Sequence, residues 1–571
     1  MWHLNIFSKK LPTMENDNLL VEKIFSKNWI PYGIISGLGF ILYFQTLFFN
    51  FTYLDDNVLI LANANFLGDL SNIVRTFQID VFNSVGNIAS YYRPILTLSF
   101  MFDFSLGGSG PTIYHFTNIV LHVLATSLLF IFLKKLNYKK ELAFLFSIIF
   151  LVHPVLSQAI SWIPGRNDSL LAVFILSTFI FFISYLKNEK ISSLGWCVVF
   201  FALAIFTKES ALFVLPVMFF YSFLFHKETR FSLGNLYFAI GALVIIGLWA
   251  VARHLALDSS SPITVVDTFK SIYSSLPGLI QYIGKIILPF NLNVLPIMED
   301  TTFIYGIISV SLLVGLFLMT KTKRWIYILF GTIWFLAFLL PSFIRPDPNK
   351  IADFFEHRLY VPIIGIFIIL LEIDFIKNLN FRKKITLIII GILILILSMI
   401  TLVHSNNFDN RLAFWKNAVK NSPHYAFAHQ NLGAIEFLEK NIENSEKELK
   451  IALLLNPNEK MAHNNLGLVY FNKNKFSEAE EEYKKELKIN PYYDNAHYNL
   501  GLLYYRQLKY TEAENSWKKT LSINPGYNDA LKMLALLYYN NKNYKEAVWY
   551  ASELYRRGVI PPQELLGLIN K

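Results

Sequence analysis

Two adjacent aspartates, Asp55 and Asp56, follow the first long apolar run of the chain. A charged side chain beside lipid is costly, so an acidic pair at the end of a membrane segment suggests a function. One carboxylate could accept a proton from a hydroxyl group, while its neighbour raises the pKa of the first or helps it to hold a cation. The alternative is that the pair caps the amphipathic stretch Val58–Ala64. The spacing alone therefore leaves a general base, a divalent-cation site and a helix cap open.

Several cationic side chains lie at predicted boundaries between apolar runs and water. Arg93 stands in Tyr91-Tyr-Arg-Pro94, and Arg358 stands in His357-Arg-Leu-Tyr360. Arginine fits a phosphate with two parallel hydrogen bonds, although arginines also extend to lipid headgroups. Lys208 lies in a tight turn before Glu209, where a simple ion pair is the alternative. We predict a phosphate site formed by Arg93, Lys208, His357 and Arg358.

A short polar stretch connects two further apolar runs and is predicted to support this site. It begins at His153-Pro154 and ends at Gly165-Arg-Asn-Asp168. Asp168 could equally cap the apolar run that follows it. The predicted supporting residues are His153, Arg166, Asp168 and Glu209.

The composition of the chain places most of it in a membrane. The 571 residues are 54% hydrophobic and 16% charged, which does not describe a soluble protein. Residues 421–571 hold 37 of the 92 charged residues, so a water-soluble part follows a lipid-embedded body. The net charge of +10 comes from lysines beside apolar runs, which is typical of cytoplasmic loops, and no nucleic-acid partner is expected. One cysteine excludes a disulfide framework and a cysteine-based metal cluster.

Apolar runs of spanning length are predicted eleven times before residue 405. Segment 1–28 is expected to be cytoplasmic and to precede an uncleaved signal anchor. The lysine-rich connections share the side of the N-terminus if 268–289 lies on or dips into the membrane without crossing it. Outer loops 50–111 and 254–301 and the tail would then face the other side. The predicted spans are 29–49, 112–133, 141–152, 169–186, 191–206, 210–225, 233–252, 302–320, 325–343, 357–373 and 385–403.

The tail, residues 406–571, contains an internal repeat. Asn-Leu-Gly recurs at 431–433, 465–467 and 499–501, a spacing of 34 residues, and prolines recur at the same interval. This period is that of tetratricopeptide repeats, which are pairs of helices that stack into a solenoid. Four units are predicted within 426–560, followed by a capping helix. The chain is thus predicted to be all-α, with a transmembrane helix bundle followed by an α-solenoid.

Three asparagines occupy the same position of successive repeats: Asn431, Asn465 and Asn499. Stacking should align their amides along the inner face of the array. An amide can donate to a carbonyl and accept from an N–H, so it can hold an extended peptide without reading its sequence. The alternative is that asparagine is a common choice before Leu-Gly in such repeats. We predict that the array binds a protein acceptor.

Taken together, the motifs resemble a known family. They stand, in family order, at Tyr53–Asp56, Tyr92–Ser99, Tyr114–His122, Leu151–Pro154, Gly165–Asp168, Thr207–Glu209 and Glu356–Pro362, with Trp415 before the first repeat. In this order they resemble the transmembrane and tetratricopeptide repeat (TMTC-type) relatives of the protein O-mannosyltransferases, which have a GT-C glycosyltransferase fold. Only four repeats and short loops are present, which points to a prokaryotic member in a cytoplasmic membrane.

The resemblance implies an enzyme that transfers one sugar from a polyprenyl or dolichyl phosphate to Ser or Thr hydroxyls of proteins, with inversion at the sugar. It also implies that Asp55 and Asp56 are the catalytic acid pair. The lipid-linked sugar is the donor substrate. The resemblance implies no particular cofactor and leaves open whether the two aspartates hold a divalent cation. Two other functions stay open: an O-antigen-ligase-like oligosaccharide transferase, and a non-enzymatic membrane scaffold that displays the repeats.

Overall fold

The computed structural model describes residues 19–82, 91–226, 233–257, 264–344 and 353–569. Most of the predicted N-terminal segment, the basic connection Lys227–Arg230 and parts of the outer loops lie outside these residues. The chain forms two compact units, Met1–Asn417 and Ala418–Lys571. The first unit therefore extends twelve residues past the predicted end of the membrane body at 405.

The first unit is helical, as predicted, and the only β feature among its described residues is a bridge between Ile297 and Asp353. Its core consists of aliphatic and aromatic side chains that the helices bury against one another. Its α-helices are Leu19–Ile24, Ile30–Tyr43, Ala64–Gly68, Pro94–Gly107, Pro111–Lys135, Lys140–Val152, Gln158–Ser161, Arg166–Asn188, Ile191–Thr207, Val214–Phe225, Leu233–Ala256, Val265–Ser275, Gly278–Ile287, Ile304–Met319, Trp325–Leu339, Ile363–Leu370, Asp374–Lys377, Lys384–Ser405 and the start of Arg411–Asn421.

The number of membrane-spanning helices corrects the prediction of eleven. Within the described residues, six helical stretches are long and apolar enough to cross a bilayer, or seven if the pair Lys140–Val152 and Pro154–Ser161, bent by 53°, counts as one span. The six are Ile30–Phe48, Pro111–Lys135, Ile163–Asn188, Leu236–Ala256, Trp325–Phe343 and Lys384–Phe408. The chain is thus a multi-pass membrane protein with fewer full-length spans than its apolar runs indicated.

The error has a physical cause, because an apolar run does not show where its helix will end. The runs predicted at 191–206, 210–225 and 302–320 form α-helices of 17, 12 and 16 residues. The run at 357–373 contains an eight-residue α-helix, Ile363–Leu370. Residues 268–289, which we expected not to cross, form Val265–Ser275 and Gly278–Ile287, of 11 and 10 residues. Neither reaches the roughly 20 residues that a span requires.

Two antiparallel helices, Pro111–Lys135 and Arg166–Asn188, separate the two polar ends of the bundle. Lys187 donates to the carbonyl of Lys135 at one end, whereas Arg166 donates to the carbonyl of Tyr114 at the other. At a rise of about 1.5 Å per residue, these ends lie about 30 Å apart. Lysine-rich connections therefore collect at one end, and the predicted catalytic residues collect at the end that holds Arg166.

The second unit confirms the predicted repeats. Four helix pairs keep the predicted period, and a short terminal helix follows them. A Cβ atom added to Gly467 would lie 2.6 Å from the ring of Tyr483, and one added to Gly501 would lie 2.4 Å from Trp517. Glycine at this position therefore lets the two helices of a unit touch. The helices are Ala426–Leu438, Ile442–Leu455, Ala462–Asn472, Phe476–Ile489, Asp494–Arg506, Tyr510–Ile523, Asn528–Asn540, Tyr544–Arg556 and Gln563–Ile569.

Candidate active site

The two adjacent aspartates differ in their surroundings, beginning with Asp56. Its Oδ2 accepts hydrogen bonds from the backbone N–H of Thr52 at 2.7 Å and from the Thr52 hydroxyl at 2.8 Å. Its Oδ1 accepts from the backbone N–H of Tyr53 at 2.8 Å. Burial raises the pKa of Asp56 to about 7, although these hydrogen bonds oppose the shift. The side chain of Asp56 therefore closes the turn Thr52–Asp56, and it does not cap the helical turn Asn57–Leu61 that follows.

Asp55 is the carboxylate of the pair that is free to react. It adopts a left-handed backbone with φ 66°, as Tyr53 does with φ 61°, and aspartate tolerates this region better than most residues do. Among the described residues, no group donates a hydrogen bond to its carboxylate. Burial raises the pKa of Asp55 to about 6, against the lowering by the charge of Arg93, and the charge of Asp353 raises it further. A carboxylate with this pKa is suited to act as a base near neutral pH.

Lys208, Asp168 and His357 meet beside this turn, although they are far apart in the sequence. The ammonium of Lys208 lies 2.8 Å from Oδ1 of Asp168, and Nε2 of His357 lies 3.9 Å from Oδ2 of Asp168. Burial, with the nearby charges of Lys208, Arg358 and Arg93, lowers the pKa of His357 well below its usual value. The imidazole is therefore neutral, so His357 can offer a hydrogen bond but not a charge.

Arg93 is the second cation of the group. One terminal nitrogen lies 3.0 Å from Glu209, and the guanidinium lies 4.6 Å from the ring centre of Tyr91. In the amide orientation that satisfies both partners, Asn167 accepts from the other terminal nitrogen at 3.0 Å and donates to the carbonyl of Thr207 at 3.1 Å. Thus Glu209 pairs with Arg93 and Lys208 pairs with Asp168, instead of the simple Lys208–Glu209 pair that the sequence left open.

Arg358 is the third cation, and the loop 353–358 holds it. Its guanidinium donates to the backbone carbonyl of Asp353 at 2.8 Å and pairs with the Asp353 carboxylate at 2.9 Å. The Asp353 charge raises the pKa of Arg358 although burial opposes the shift. Arg358, Lys208 and Asp168 line a small recess of about 70 Å³, whose apolar wall includes Leu171 and Phe338. The recess therefore joins charged and apolar surfaces, as a lipid-linked phosphate requires.

Three buried polar atoms in this group have no hydrogen-bond partner among the described residues. They are Nε of Arg93, Oδ2 of Asp168 and Nδ1 of His357. Buried polar groups are nearly always paired, and an exception in a native protein often marks a catalytic or ligand-binding role. In addition, only one of the three N–H groups of Lys208 is used by Asp168. The Nε–H of Arg93 and the remaining N–H groups of Lys208 are therefore donors for an anionic ligand, even though each cation already has a carboxylate partner.

Two predicted supporting residues have structural roles instead. Arg166 is fully buried, and its guanidinium is used by Asp103 at 2.5 Å, by Asn118 at 2.7 Å and by the carbonyl of Tyr114 at 2.7 Å. It joins three helices and has no need of a ligand. His153 lies 2.9 Å from the carbonyl of Ile286 through one ring nitrogen and accepts from a backbone N–H through the other. Both side chains are thus engaged in contacts within the fold, and their support of the site stays a prediction.

Sequence reasoning missed residues that hold the group together. The indole N–H of Trp162 donates to the carbonyl of Leu54 at 3.0 Å, and the ring lies 5.4 Å from that of His357. Gln158 accepts from the backbone N–H of His357 at 3.0 Å and donates to the carbonyl of Val294 at 2.9 Å. Trp162 could have been found from the sequence, because a tryptophan is unusual in a short polar connection. Nothing in the sequence singles out Gln158 or Asn167.

The fit of a divalent cation to the aspartate pair is poor. Both oxygens of Asp56 already accept hydrogen bonds, so the pair offers the carboxylate of Asp55 alone. No group of three or more His, Cys, Asp or Glu side chains able to hold a metal occurs in the described parts of the chain. The two aspartates therefore do not fit a divalent cation held between their carboxylates.

The three asparagines of the repeats are not equivalent. Asn431 donates to the carbonyl of Phe427 in its own helix at 2.8 Å. Asn499 is buried and donates to Asn464 of the preceding repeat at 2.9 Å, and Asn464 in turn donates to Asn465 at 3.3 Å. The predicted row of identical, available amides is thus replaced by a partly satisfied network.

The chain matches known families in both of its parts. Residues 98–257 match the family described as dolichyl-phosphate-mannose-protein mannosyltransferase. Residues 467–507 and 495–527 match the tetratricopeptide repeat families. Among solved structures, the crystal structure of MamA is 24% identical and covers 27% of this chain and 90% of its own, with a TM-score of 0.25.

Similar curated proteins are named as protein O-mannosyl-transferases. The protein O-mannosyl-transferase F38B6.6 of Caenorhabditis elegans is 26% identical over 70% of this chain and 59% of its own length. Protein O-mannosyl-transferase Tmtc1 of Drosophila melanogaster is 32% identical over 31% of this chain and 21% of its own length. TMTC2 of Mus musculus is 31% identical over 28% of this chain and 20% of its own. The chain thus matches less than two thirds of the length of each relative.

These matches agree with the motif order in the first unit and with the repeats in the second. They confirm the resemblance drawn from the sequence: the chain is similar to the TMTC-type protein O-mannosyltransferases, with a match to the mannosyltransferase family in its first unit and matches to tetratricopeptide repeat families in its second.

Proposed function

We propose that this protein is a membrane glycosyltransferase that moves one sugar, by analogy mannose, from a lipid-linked phosphate to a Ser or Thr hydroxyl of a protein. The observation that carries the proposal is the free, half-buried carboxylate of Asp55, which has a pKa of about 6 near Arg93. The recess formed by Lys208, Arg358 and Asp168 lies in the same group of residues. A base and a phosphate site together are what this transfer needs.

The proposed reaction is a single displacement at the anomeric carbon of the sugar. The acceptor oxygen forms the new bond while the bond to the phosphate oxygen breaks, so the configuration is inverted. Asp55 takes the hydroxyl proton. Lys208, Arg358 and the unpaired Nε–H of Arg93 stabilise the charge that stays on the lipid phosphate. The apolar wall of the recess would accept the first part of the lipid chain.

Asp168, Glu209 and Asp353 have a supporting role in this proposal. Each holds one of the cations at 2.8 to 3.0 Å, which fixes the cation in place before the donor arrives. Such fixed charges stabilise a transition state without reorganisation. His357, held neutral by its surroundings, would add a hydrogen bond to the phosphate or the sugar.

We also propose that the repeats bind the protein acceptor and that they and the candidate site face the non-cytoplasmic side of a membrane. The side follows from the basic connections, which favour the cytoplasm and which collect at the opposite end of the bundle. We propose a prokaryotic cytoplasmic membrane, because the loops of the first unit are short.

The test is transfer in vitro by the purified full-length protein in lipid nanodiscs. Mannose labelled on dolichyl or polyprenyl phosphate is supplied with a Ser/Thr-containing peptide, and labelled peptide is measured. The Asp55→Asn variant should be inactive, whereas Asp69→Asn, an exposed carboxylate of the same loop, should match the wild type. Activity of Asp55→Asn at the wild-type rate would contradict the role of Asp55. No transfer by the wild type from any lipid-phosphate sugar would contradict the proposed reaction and favour a scaffold.

A further inference from the structure

The segment 404–417, which leaves the last apolar helix, is unusually buried for a connection. His404 lies near the end of the helix Lys384–Ser405, and a short helical turn, Asn406–Phe408, follows it. Phe408, Phe414 and Trp415 are fully buried. Connecting segments are normally exposed and variable. The buried aromatic side chains of this one indicate that it packs against other parts of the first unit.

One set of contacts reaches the turn that carries Asp55. The indole N–H of Trp415 donates to the carbonyl of Thr52 at 3.1 Å. The backbone N–H of Asn50 donates to the carbonyl of Asp409 at 2.7 Å, and Arg411 lies 4.9 Å from the ring centre of Tyr53. Thr52 and Tyr53 are also the residues that donate to Asp56. The turn is therefore held by Asp56 from within and by the exit segment from outside.

A second set of contacts reaches the loop that carries Arg358. Nε2 of His404 lies 3.0 Å from Oε2 of Glu356, which is fully buried. Asn407 lies 3.2 Å from Nδ1 of His404 through its amide nitrogen, so Nδ1 accepts and Nε2 carries the proton that is donated to Glu356. Lys285 and the backbone N–H of Asn293 donate to the other oxygen of Glu356 at 2.7 and 2.8 Å.

We infer that the segment 404–417 is a positioning element that holds the Asp55 turn and the Arg358 loop in a fixed relation, with Trp415 and His404 as its positioning residues. The inference rests on the proposed function, because that function requires a base and a phosphate site at the same time. A base displaced by about 1 Å can lose much of its effect on the rate. Neither residue touches a substrate, and each acts through another: Trp415 through Thr52, and His404 through Glu356.

The first test replaces Trp415 by Phe, which keeps a buried ring and removes the N–H donor. Trp517→Phe is the matched control, because Trp517 is also fully buried and donates to a backbone carbonyl, that of Tyr498, at 3.2 Å. With a short peptide acceptor, kcat of Trp415→Phe should fall about tenfold while KM for the lipid donor stays within about twofold. Equal kcat values for the two variants, at equal melting temperatures, would overturn the role of Trp415.

The second test uses His404. In His404→Gln the amide can still donate to Glu356, so this variant should retain most of the activity. In His404→Leu that donor is lost and the loop that carries Arg358 is less well held, so KM for the lipid donor should rise about tenfold. Equal KM values for His404→Gln and His404→Leu would overturn the role of His404 in holding Glu356.

A measurement that does not need activity separates this inference from the proposed function. Amide hydrogen exchange should rise in residues 50–58 for Trp415→Phe and in residues 353–360 for His404→Leu, and in neither for Trp517→Phe. If the wild type transfers no sugar yet exchange changes in this pattern, the proposed function fails and the positioning role stands. Unchanged exchange in both stretches would overturn the inference even in an active enzyme.

Discussion

The two adjacent aspartates should respond differently to the same substitution, Asp→Asn. Asparagine is chosen because it tolerates the left-handed backbone of Asp55, at φ 66°, better than alanine does. Among the described residues no group donates a hydrogen bond to the carboxylate of Asp55, so Asp55→Asn should change the free energy of unfolding by less than about 0.5 kcal/mol. It removes the proton acceptor, and general-base catalysis contributes about 10²- to 10⁴-fold to a rate. We expect a stable and nearly inactive protein.

Asp56→Asn should lose stability more than activity, the reverse of Asp55→Asn. Three donors, at 2.7 to 2.8 Å, face the Asp56 carboxylate. The amide of asparagine keeps one acceptor oxygen, and its NH₂ group cannot accept, so at least one buried donor loses its partner. The cost of such a donor is about 1 to 3 kcal/mol. The melting temperature should therefore fall, while the base itself remains and part of the activity survives.

The assay is the initial rate of peptide labelling from the lipid-linked sugar between about pH 4.5 and pH 8.5, with melting curves of each variant. The wild-type kcat/KM should rise with pH and reach half its plateau near pH 6, because the raised pKa of Asp55 keeps the base protonated at lower pH. The residual kcat/KM of Asp55→Asn should not show this rise near pH 6. A stable Asp56→Asn that is as inactive as Asp55→Asn, or an Asp55→Asn with half of the wild-type activity, would refute the assignment.

Three further predictions concern the cations and the repeats. Arg93→Lys and Arg358→Lys should each raise KM for the lipid donor, since lysine keeps the charge but loses the forked geometry. Wild-type kinetics in both variants would mean that the two arginines only anchor the protein at the membrane surface. Changing Asn431, Asn465 and Asn499 to Ala should raise KM for a long protein acceptor and leave a short peptide unaffected, and equal effects on both would remove the asparagines from acceptor binding. His463 lies between the carbonyl of Pro457 at 3.1 Å and Glu482 at 2.5 Å; burial opposes protonation, but Glu482 raises the pKa of His463 overall. The stability from this pair, about 1.5 kcal/mol, should be complete below the unfolded pKa of about 6.5 and be lost as pH rises through the raised folded value. Amide hydrogen exchange of residues 462–489, measured at several pH values, should show this loss of stability as the pH rises. His463→Gln should abolish that pH dependence. His497→Gln is the control, because Ser516 stands where Glu482 stands one repeat earlier.

The repeats were determined by the sequence alone, because their information is local. Each unit is a pair of helices whose contacts recur every 34 residues, and Gly467 and Gly501 mark the close approach within a unit. The membrane character of the first unit was equally evident, since burial in lipid needs only an apolar composition. The position of Asp55 at the end of the first apolar helix followed from the same pattern.

The tertiary structure decided which of the candidate residues act together. Asp55 and Asp56 are indistinguishable as neighbours in the sequence, and only the path of the turn from Thr52 commits one carboxylate to hydrogen bonds and leaves the other free. Arg93 and Arg166 are both arginines at boundaries of apolar runs. One retains an unpaired donor, whereas the other is used up between three helices.

The number of full-length spans and the contacts of the exit segment were also beyond the sequence. The end of a helix depends on where neighbouring helices stop making contacts with it. Eleven apolar runs therefore correspond to six or seven full-length helices in the part of the chain that the structure describes. The partners of Trp415 and His404 lie 363 and 48 residues away, at Thr52 and Glu356. No local pattern encodes a hydrogen bond over such separations, because it forms only after the chain has packed.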